Sequence, residues 1–247
     1  MNKCNARGKK MGELKLVSFD VWDTLLSVKL FYRSVALELA KITGRDSASL
    51  EKRLIEGYRK VRAIRRAGGF DDSKIVSMTL DVMAKFLNID SEAISKAILK
   101  TAESHPAEQY LIEGAKEAVS SVKELGLKII IVGNVVFWPG KINRILLEKA
   151  GLSNFIDGQF YAEEVKISKP KPEVFYKAIS EFDVQPEEGL HVGNSLFEDF
   201  AGAITARMGA ILIDENVGGI VKLSDWNAYI IPNIKSLREI VNELLSS

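Results

Sequence analysis

Residues 113–134, EGAKEAVSSVKELGLKIIIVGN, contain one complete structural unit. Glu113–Leu125 has helical apolar spacing, Gly126 stops it, and Lys128–Val132 is a near-continuous apolar run of strand length. A strand without polar alternation is covered on both faces, as the strands of a parallel sheet are. The alternation continues downstream. Pro139 and Gly140 open a helix over Lys141–Ala150, and Pro172 sits at the first helical position before Glu173–Phe182. Leu190–Val192, Ala210–Ile213 and Ala228–Ile231 read as strands, with helices at Phe197–Arg207 and Ile234–Leu245. Upstream, Lys15–Asp20 (KLVSFD) is a further strand. This order predicts an α/β fold, a doubly wound parallel-sheet, Rossmann-like core.

Between the first strand and that unit the period changes. Leu50, Leu54, Tyr58, Val61 and Ile64 repeat at spacings of 4, 4, 3 and 3, the stripe of an amphipathic helix. Similar stripes cover Tyr32–Ile42, Lys74–Leu87 and Ser91–Ala102, so about four helices interrupt the sheet-forming sequence. The expected organisation is an N-terminal extension at residues 1–10, an α/β core at 11–29 and 108–247, and an inserted helical domain at 30–107.

Composition narrows the function. Among 247 residues, 34 Lys and Arg face 33 Asp and Glu, and this balance argues against a nucleic-acid binder. The single cysteine, Cys4, forms no intrachain disulfide, pointing to a reducing, cytoplasmic location. The most apolar stretch, Leu127–Trp138, is too short to span a membrane, and the polar start MNKCNARGKK has no signal-peptide core. No HExxH, P-loop, GxGxxG or GxSxG string occurs.

Ligands of such sheets bind at the carboxyl ends of the strands. There the sequence supplies Asp20, Trp22, Asp23 and Thr24, then Gly133 and Asn134, then Lys169, then Gly193, Asn194, Ser195, Glu198 and Asp199. A carboxylate can attack, an ammonium can neutralise developing charge, and amides can bind oxygens. The inventory suits a small anionic substrate. Arg59, Arg62 and Arg66 share one face in the insert. They read either as a solvated face or as a surface drawing an anion to the cleft.

Phe19-Asp20…Thr24-Leu25, the strand ending at Asn134, Lys169-Pro170 and Gly193-Asn194…Asp199 resemble the four ordered motifs of the haloacid dehalogenase superfamily. The helical insert falls where that superfamily carries its C1 cap. The resemblance implies a hydrolase in which Asp20 is the nucleophile, forming an aspartyl intermediate. It implies that Lys169 stabilises charge, that Thr24, Gly133, Asn134 and Trp22 border the substrate, and that Asp20, Asn194 and Asp199 bind Mg²⁺. It favours a Mg²⁺-dependent phosphomonoesterase of attenuated activity, acting on a phosphate ester, as monomer or homodimer.

Three departures carry information. Trp22 replaces the aspartate that protonates the leaving group, Gly133 replaces a Ser or Thr that binds phosphate oxygen, and Asn194 replaces an acidic Mg²⁺ ligand. Two alternatives follow from the same motifs. One is an L-2-haloacid dehalogenase-like hydrolase, whose relatives also carry an aromatic two residues after the nucleophile and an arginine early in the cap. Arg53 is the nearest candidate for that arginine, whereas Phe175 stands where those enzymes use a tyrosine. The other alternative is a catalytically reduced binding or regulatory protein on the same fold.

Overall fold

The computed structural model describes residues 12–246, so the extension read at residues 1–10 and Cys4 lie outside the described residues. Seven strands form one sheet in the order β3-β2-β1-β4-β5-β7-β6. They are β1 (Leu16–Phe19), β2 (Lys128–Gly133), β3 (Gly158–Tyr161), β4 (Gly189–Gly193), β5 (Gly209–Ile213), β6 (Val221–Leu223) and β7 (Ala228–Ile231). All neighbours are parallel except β6 and β7. The sequence reading identified five of the seven. It missed β3 and β6, edge strands that are mostly incompletely buried and carry Gln159 and Lys222, so neither forms an apolar run.

Successive side chains of a strand point to opposite faces, and the core divides accordingly. Val17 and Phe19 of β1 join Ile129 and Ile131 of β2 on one face. Leu16 joins Ile130 and Val132 on the other. The first face is covered by α5 (Ala115–Glu124), α6 (Gly140–Lys149) and α10 (Leu237–Leu245). The second is covered by α8 (Pro172–Ser180) and α9 (Gly202–Thr205), while α7 (Ala162–Val165) lies in the loop after β3. The helix expected at Phe197–Arg207 begins instead as a π-type turn, Leu196–Ala201. Such turns recur at functional sites.

Four helices separate β1 from α5: α1 (Val28–Thr43), α2 (Ser47–Arg66), α3 (Ile75–Leu87) and α4 (Ser91–Ser104). Their ends carry the expected chemistry. Asp46 accepts a hydrogen bond from the Ser49 amide at 2.7 Å to start α2, and Gly44 ends α1 in the left-handed region at φ 68°. The chain enters and leaves this insert through two segments bonded to one another. The Ser27 amide donates to Tyr110 O at 2.7 Å, and the Ile112 amide donates to Leu25 O at 2.9 Å. The insert shares its apolar interior with the sheet. Phe31 of α1 packs 5.2 Å from Trp22 and 5.5 Å from Trp138, and one buried cluster runs from β1 through all four helices. No helix among the described residues is long and apolar enough to cross a membrane.

Candidate active site

Because β1, β2 and β4 are adjacent and parallel, their carboxyl ends bring Asp20, Gly133-Asn134 and Gly193-Asn194 to one edge. At that edge lies a cavity of about 20 Å³, lined by Asp20, Trp22, Asn134, Asn194 and Asp199 from the core and by Tyr58, Arg62 and Arg65 from α2. A larger hollow of about 570 Å³ lies away from it, between Leu14, Lys222, Tyr229 and Leu245, and holds none of these residues.

Lys169 organises the edge. Its Nζ donates to Asp20 Oδ1 at 2.9 Å, Asp199 Oδ1 at 2.6 Å and Val132 O at 2.6 Å, using all three ammonium protons. Burial disfavours the ammonium, but the Asp199 and Asp20 carboxylates more than compensate and hold its pKa above the ordinary lysine value. Asn134 pins the lysine's backbone from both sides. Its Oδ1 accepts from the Lys169 amide at 2.9 Å and its Nδ2 donates to the Lys169 carbonyl at 3.0 Å.

The two carboxylates differ. Asp199 also accepts from the Ser195 amide at 2.8 Å through Oδ2, and Lys169 and His191 outweigh burial to keep its pKa below the usual carboxylate range. This approach requires Gly193, since a Cβ there would collide with the Asp199 carboxylate. Asp20 has burial as its dominant influence, only partly offset by Lys169, and its pKa is pushed up to about 6. Its Oδ2 makes no hydrogen bond among the described residues, so one oxygen of the buried carboxylate faces the cavity uncommitted.

The remaining predicted residues fall into two groups. Asn194 lines the cavity, its side-chain amide making no hydrogen bond among the described residues. Trp22 lines it too, its indole Nε1 buried without a partner and its ring held by Phe31 and Trp138. Thr24 is fully buried away from the cavity, its hydroxyl likewise unpaired. Gly133 contributes space rather than a donor, because a Cβ there would lie 2.9 Å from the Tyr161 ring. Asp23, one step past Trp22, turns away to accept the Val28 amide at 3.0 Å and so caps α1.

Sequence reading missed the part played by α2. Glu198 is bonded by three guanidiniums: Arg65 at 2.8 Å, Arg66 at 2.9 Å and Arg62 at 3.5 Å. Arg62 is therefore drawn half-buried from the solvated face, Arg66 reaches Glu198 while staying exposed, and Arg59 stays exposed. Nothing in the position of Arg65 along the helix distinguishes it from a surface arginine. Arg53 is spent elsewhere, on the Phe86 carbonyl and, at 5.5 Å, over its ring.

Mg²⁺ prefers hard oxygen donors and keeps several waters, so it needs few protein ligands. The Asp20 carboxylate and the Asn194 carbonyl are two such donors at one cavity, with Asp199 beside them offering its remaining lone pairs. The donor set fits the ion, with a neutral amide in place of one charge. No cluster of three or more His, Cys, Asp or Glu side chains suited to a metal occurs among the described residues.

Comparison with known proteins agrees with this architecture. The sequence profile of haloacid dehalogenase-like hydrolases matches residues 14–207. The chain is 27% identical over 209 residues to haloacid dehalogenase-like hydrolase domain-containing protein 3 of Xenopus laevis, covering 81% of this chain and 84% of that one. It is 25% identical to a glyceraldehyde 3-phosphate phosphatase of Methanothermobacter thermautotrophicus, over 92% of this chain and 100% of the relative. The magnesium-bound HAD-hydrolase YfnB of Bacillus subtilis superposes with a TM-score of 0.74 at 18% identity, covering 94% of this chain and 100% of that one.

Proposed function

Because the chain belongs to the haloacid dehalogenase-like hydrolases, we propose that it hydrolyses phosphate monoesters, with Asp20 as the nucleophile. The observation that carries this reading is the asymmetry at Asp20: Oδ1 is held by Lys169 while Oδ2 faces an arginine-lined cavity. Oδ2 attacks phosphorus, the phosphorus–oxygen bond to the alcohol breaks, and an aspartyl phosphate forms. Water then attacks that phosphorus, releasing inorganic phosphate and restoring the carboxylate. Lys169 holds the nucleophile in place and offsets charge on both carboxylates. Mg²⁺, when bound by Asp20, Asn194 and Asp199, would neutralise charge on the phosphoryl group.

The leaving alkoxide takes its proton from solvent. Trp22 has no acid to offer, and Asp23 is occupied at the start of α1. Positioning and charge supply most of phosphoryl-transfer catalysis, so esters with good leaving groups remain substrates. A 2-haloacid dehalogenase would need an arginine where Arg53 instead engages Phe86, which leaves the phosphatase as the better reading.

Aryl and alkyl phosphates and 2-haloacids, assayed with and without Mg²⁺, test this against Asp20→Asn. Aryl phosphate turnover is expected in wild type and not in the variant, with folding checked by circular dichroism. A variant that keeps the wild-type rate sinks the covalent-aspartate mechanism. Halide release without Mg²⁺ would favour the dehalogenase, and no turnover of any substrate the non-catalytic alternative.

A further inference from the structure

The cavity at Asp20 has room for about one water molecule, which occupies roughly 10–15 Å³ on the same measure. Beside it lies a second, solvent-open cavity of about 570 Å³. Its walls are Arg62, Arg66, Asn194, Ser195, Leu196 and Phe197. Arg62 and Asn194 line both spaces, so the two cavities adjoin across these side chains.

The chemistry of the outer space is specific. Leu196 and Phe197 are 64% and 47% exposed, an apolar wall at the foot of the cavity. Opposite them stand two arginines one helical turn apart on α2. Arg66 donates to Glu198 and, at 3.2 Å, to the Ser195 hydroxyl. Arg62 is under-used. It makes one long contact of 3.5 Å to Glu198 and lies 5.4 Å from the Tyr58 ring centre, and its Nε is buried with no partner among the described residues. A buried donor left unpaired is costly, and three guanidiniums share the single Glu198 carboxylate. The cluster thus carries positive charge in excess of its one carboxylate, beside a space large enough for the body of a small organic anion.

We propose that a second anionic group on the alcohol part of the substrate pairs with Arg62 and Arg66. The preferred substrates are then phosphate esters whose short carbon chain carries a carboxylate or a further phosphate. The phosphoryl group binds at Asp20 as the one-water space there widens to admit it, the chain lies along Leu196 and Phe197, and the second anion pairs with the arginines. A planar guanidinium pairs equally well with carboxylate and phosphate oxygens, so both are admitted. This assignment rests on the reading of the Asp20 cavity as the phosphoryl site.

Calorimetric binding to the full chain with Mg²⁺ tests this pairing without requiring turnover. The probes are methylphosphonate, with one anionic group, phosphonoacetate, which adds a carboxylate, and methylenebisphosphonate, which adds a second phosphonate. At least one two-anion probe is expected to bind about 10-fold or more tightly than methylphosphonate, the scale of a charged hydrogen bond. Which one does so identifies the second anion. That ratio is expected to collapse toward one in Arg62→Met and to shrink in Arg66→Met, whose side chain is more exposed and provides a second variant should the first fold poorly. Equal binding of all three probes by wild type overturns the pairing, as does a preference that survives both substitutions. Aryl phosphate turnover with equal binding would sink the pairing and leave the phosphatase. Arginine-dependent selectivity without ester turnover would do the reverse.

Discussion

The ring of Tyr161 lies 2.9 Å from where a Cβ at Gly133 would sit. The same ring blocks a Cβ at Gly140, so one aromatic side chain fills the space of two missing ones at the end of β2. The absence of a hydroxyl-bearing residue at position 133 is therefore a packing consequence. A Ser there has no room while Tyr161 keeps its place.

Gly133→Ser is accordingly expected to destabilise the fold by about 1–3 kcal/mol, the usual cost of overpacking. In the Tyr161→Ala background the same substitution should cost clearly less, giving a positive coupling in a double-mutant cycle. Denaturant unfolding of the four proteins measures this. Additive effects would mean the ring is not the obstacle.

Lys169→Met removes the cation bonded to both Asp20 and Asp199 and leaves two buried carboxylates without it. Breaking a buried ion pair in this way costs about 3–5 kcal/mol. We expect a comparable loss of stability together with loss of turnover. Melting temperature and aryl phosphate hydrolysis report the two effects, and a variant as stable as wild type would show that the triad is not a structural element.

Asn194→Asp and Trp22→Asp restore the two missing carboxylates, yet the structure separates their outcomes. The Asn194 amide at the cavity wall makes no hydrogen bond among the described residues, so the aspartate should tighten Mg²⁺ binding without harming the fold. Trp22 is wedged between Phe31 and Trp138, and replacing it should cost about 3–5 kcal/mol, the range for truncating a buried aromatic. Mg²⁺ titration monitored by calorimetry, and thermal melting of both variants, decide the matter. Unchanged Mg²⁺ affinity in Asn194→Asp would remove residue 194 from the metal site.

Acid should loosen the insert from the sheet. Burial would raise the Glu198 pKa, but Arg65, Arg62 and Arg66 hold it below the usual carboxylate value. Asp72 is likewise held low against burial, by hydrogen bonds from Lys171 and Ser168. Both contacts join the insert to the core. A carboxylate with a depressed pKa contributes fully above its ordinary value, near pH 4, and that contribution is lost as pH falls through the depressed value. Hydrogen exchange in α2 is therefore expected to rise below about pH 4 while the sheet amides stay protected. Equal protection of α2 at pH 6 and pH 3.5 would contradict this.

The parallel sheet, its interruption by helices, the strand-end positions of Asp20, Asn134 and Asn194 and the loop position of Lys169 were legible in the chain itself. Uninterrupted apolar runs such as KIIIV and the stripe Leu50–Ile64 are local patterns whose period decides the element. What those residues do to one another was not legible. Lys169 meets Asp20 across 149 positions, and Arg66 meets Glu198 across 132. Such distances along the chain carry no periodic signal, so tertiary packing alone selects Arg62, Arg65 and Arg66 from the other arginines of α2. It also directs the polar ends of Asn134 to the backbone of Lys169, turns Asp23 into a helix cap, and fills the place of a second-motif hydroxyl with the ring of Tyr161. Shape and charge complementarity between distant segments form only once the sheet has brought them together.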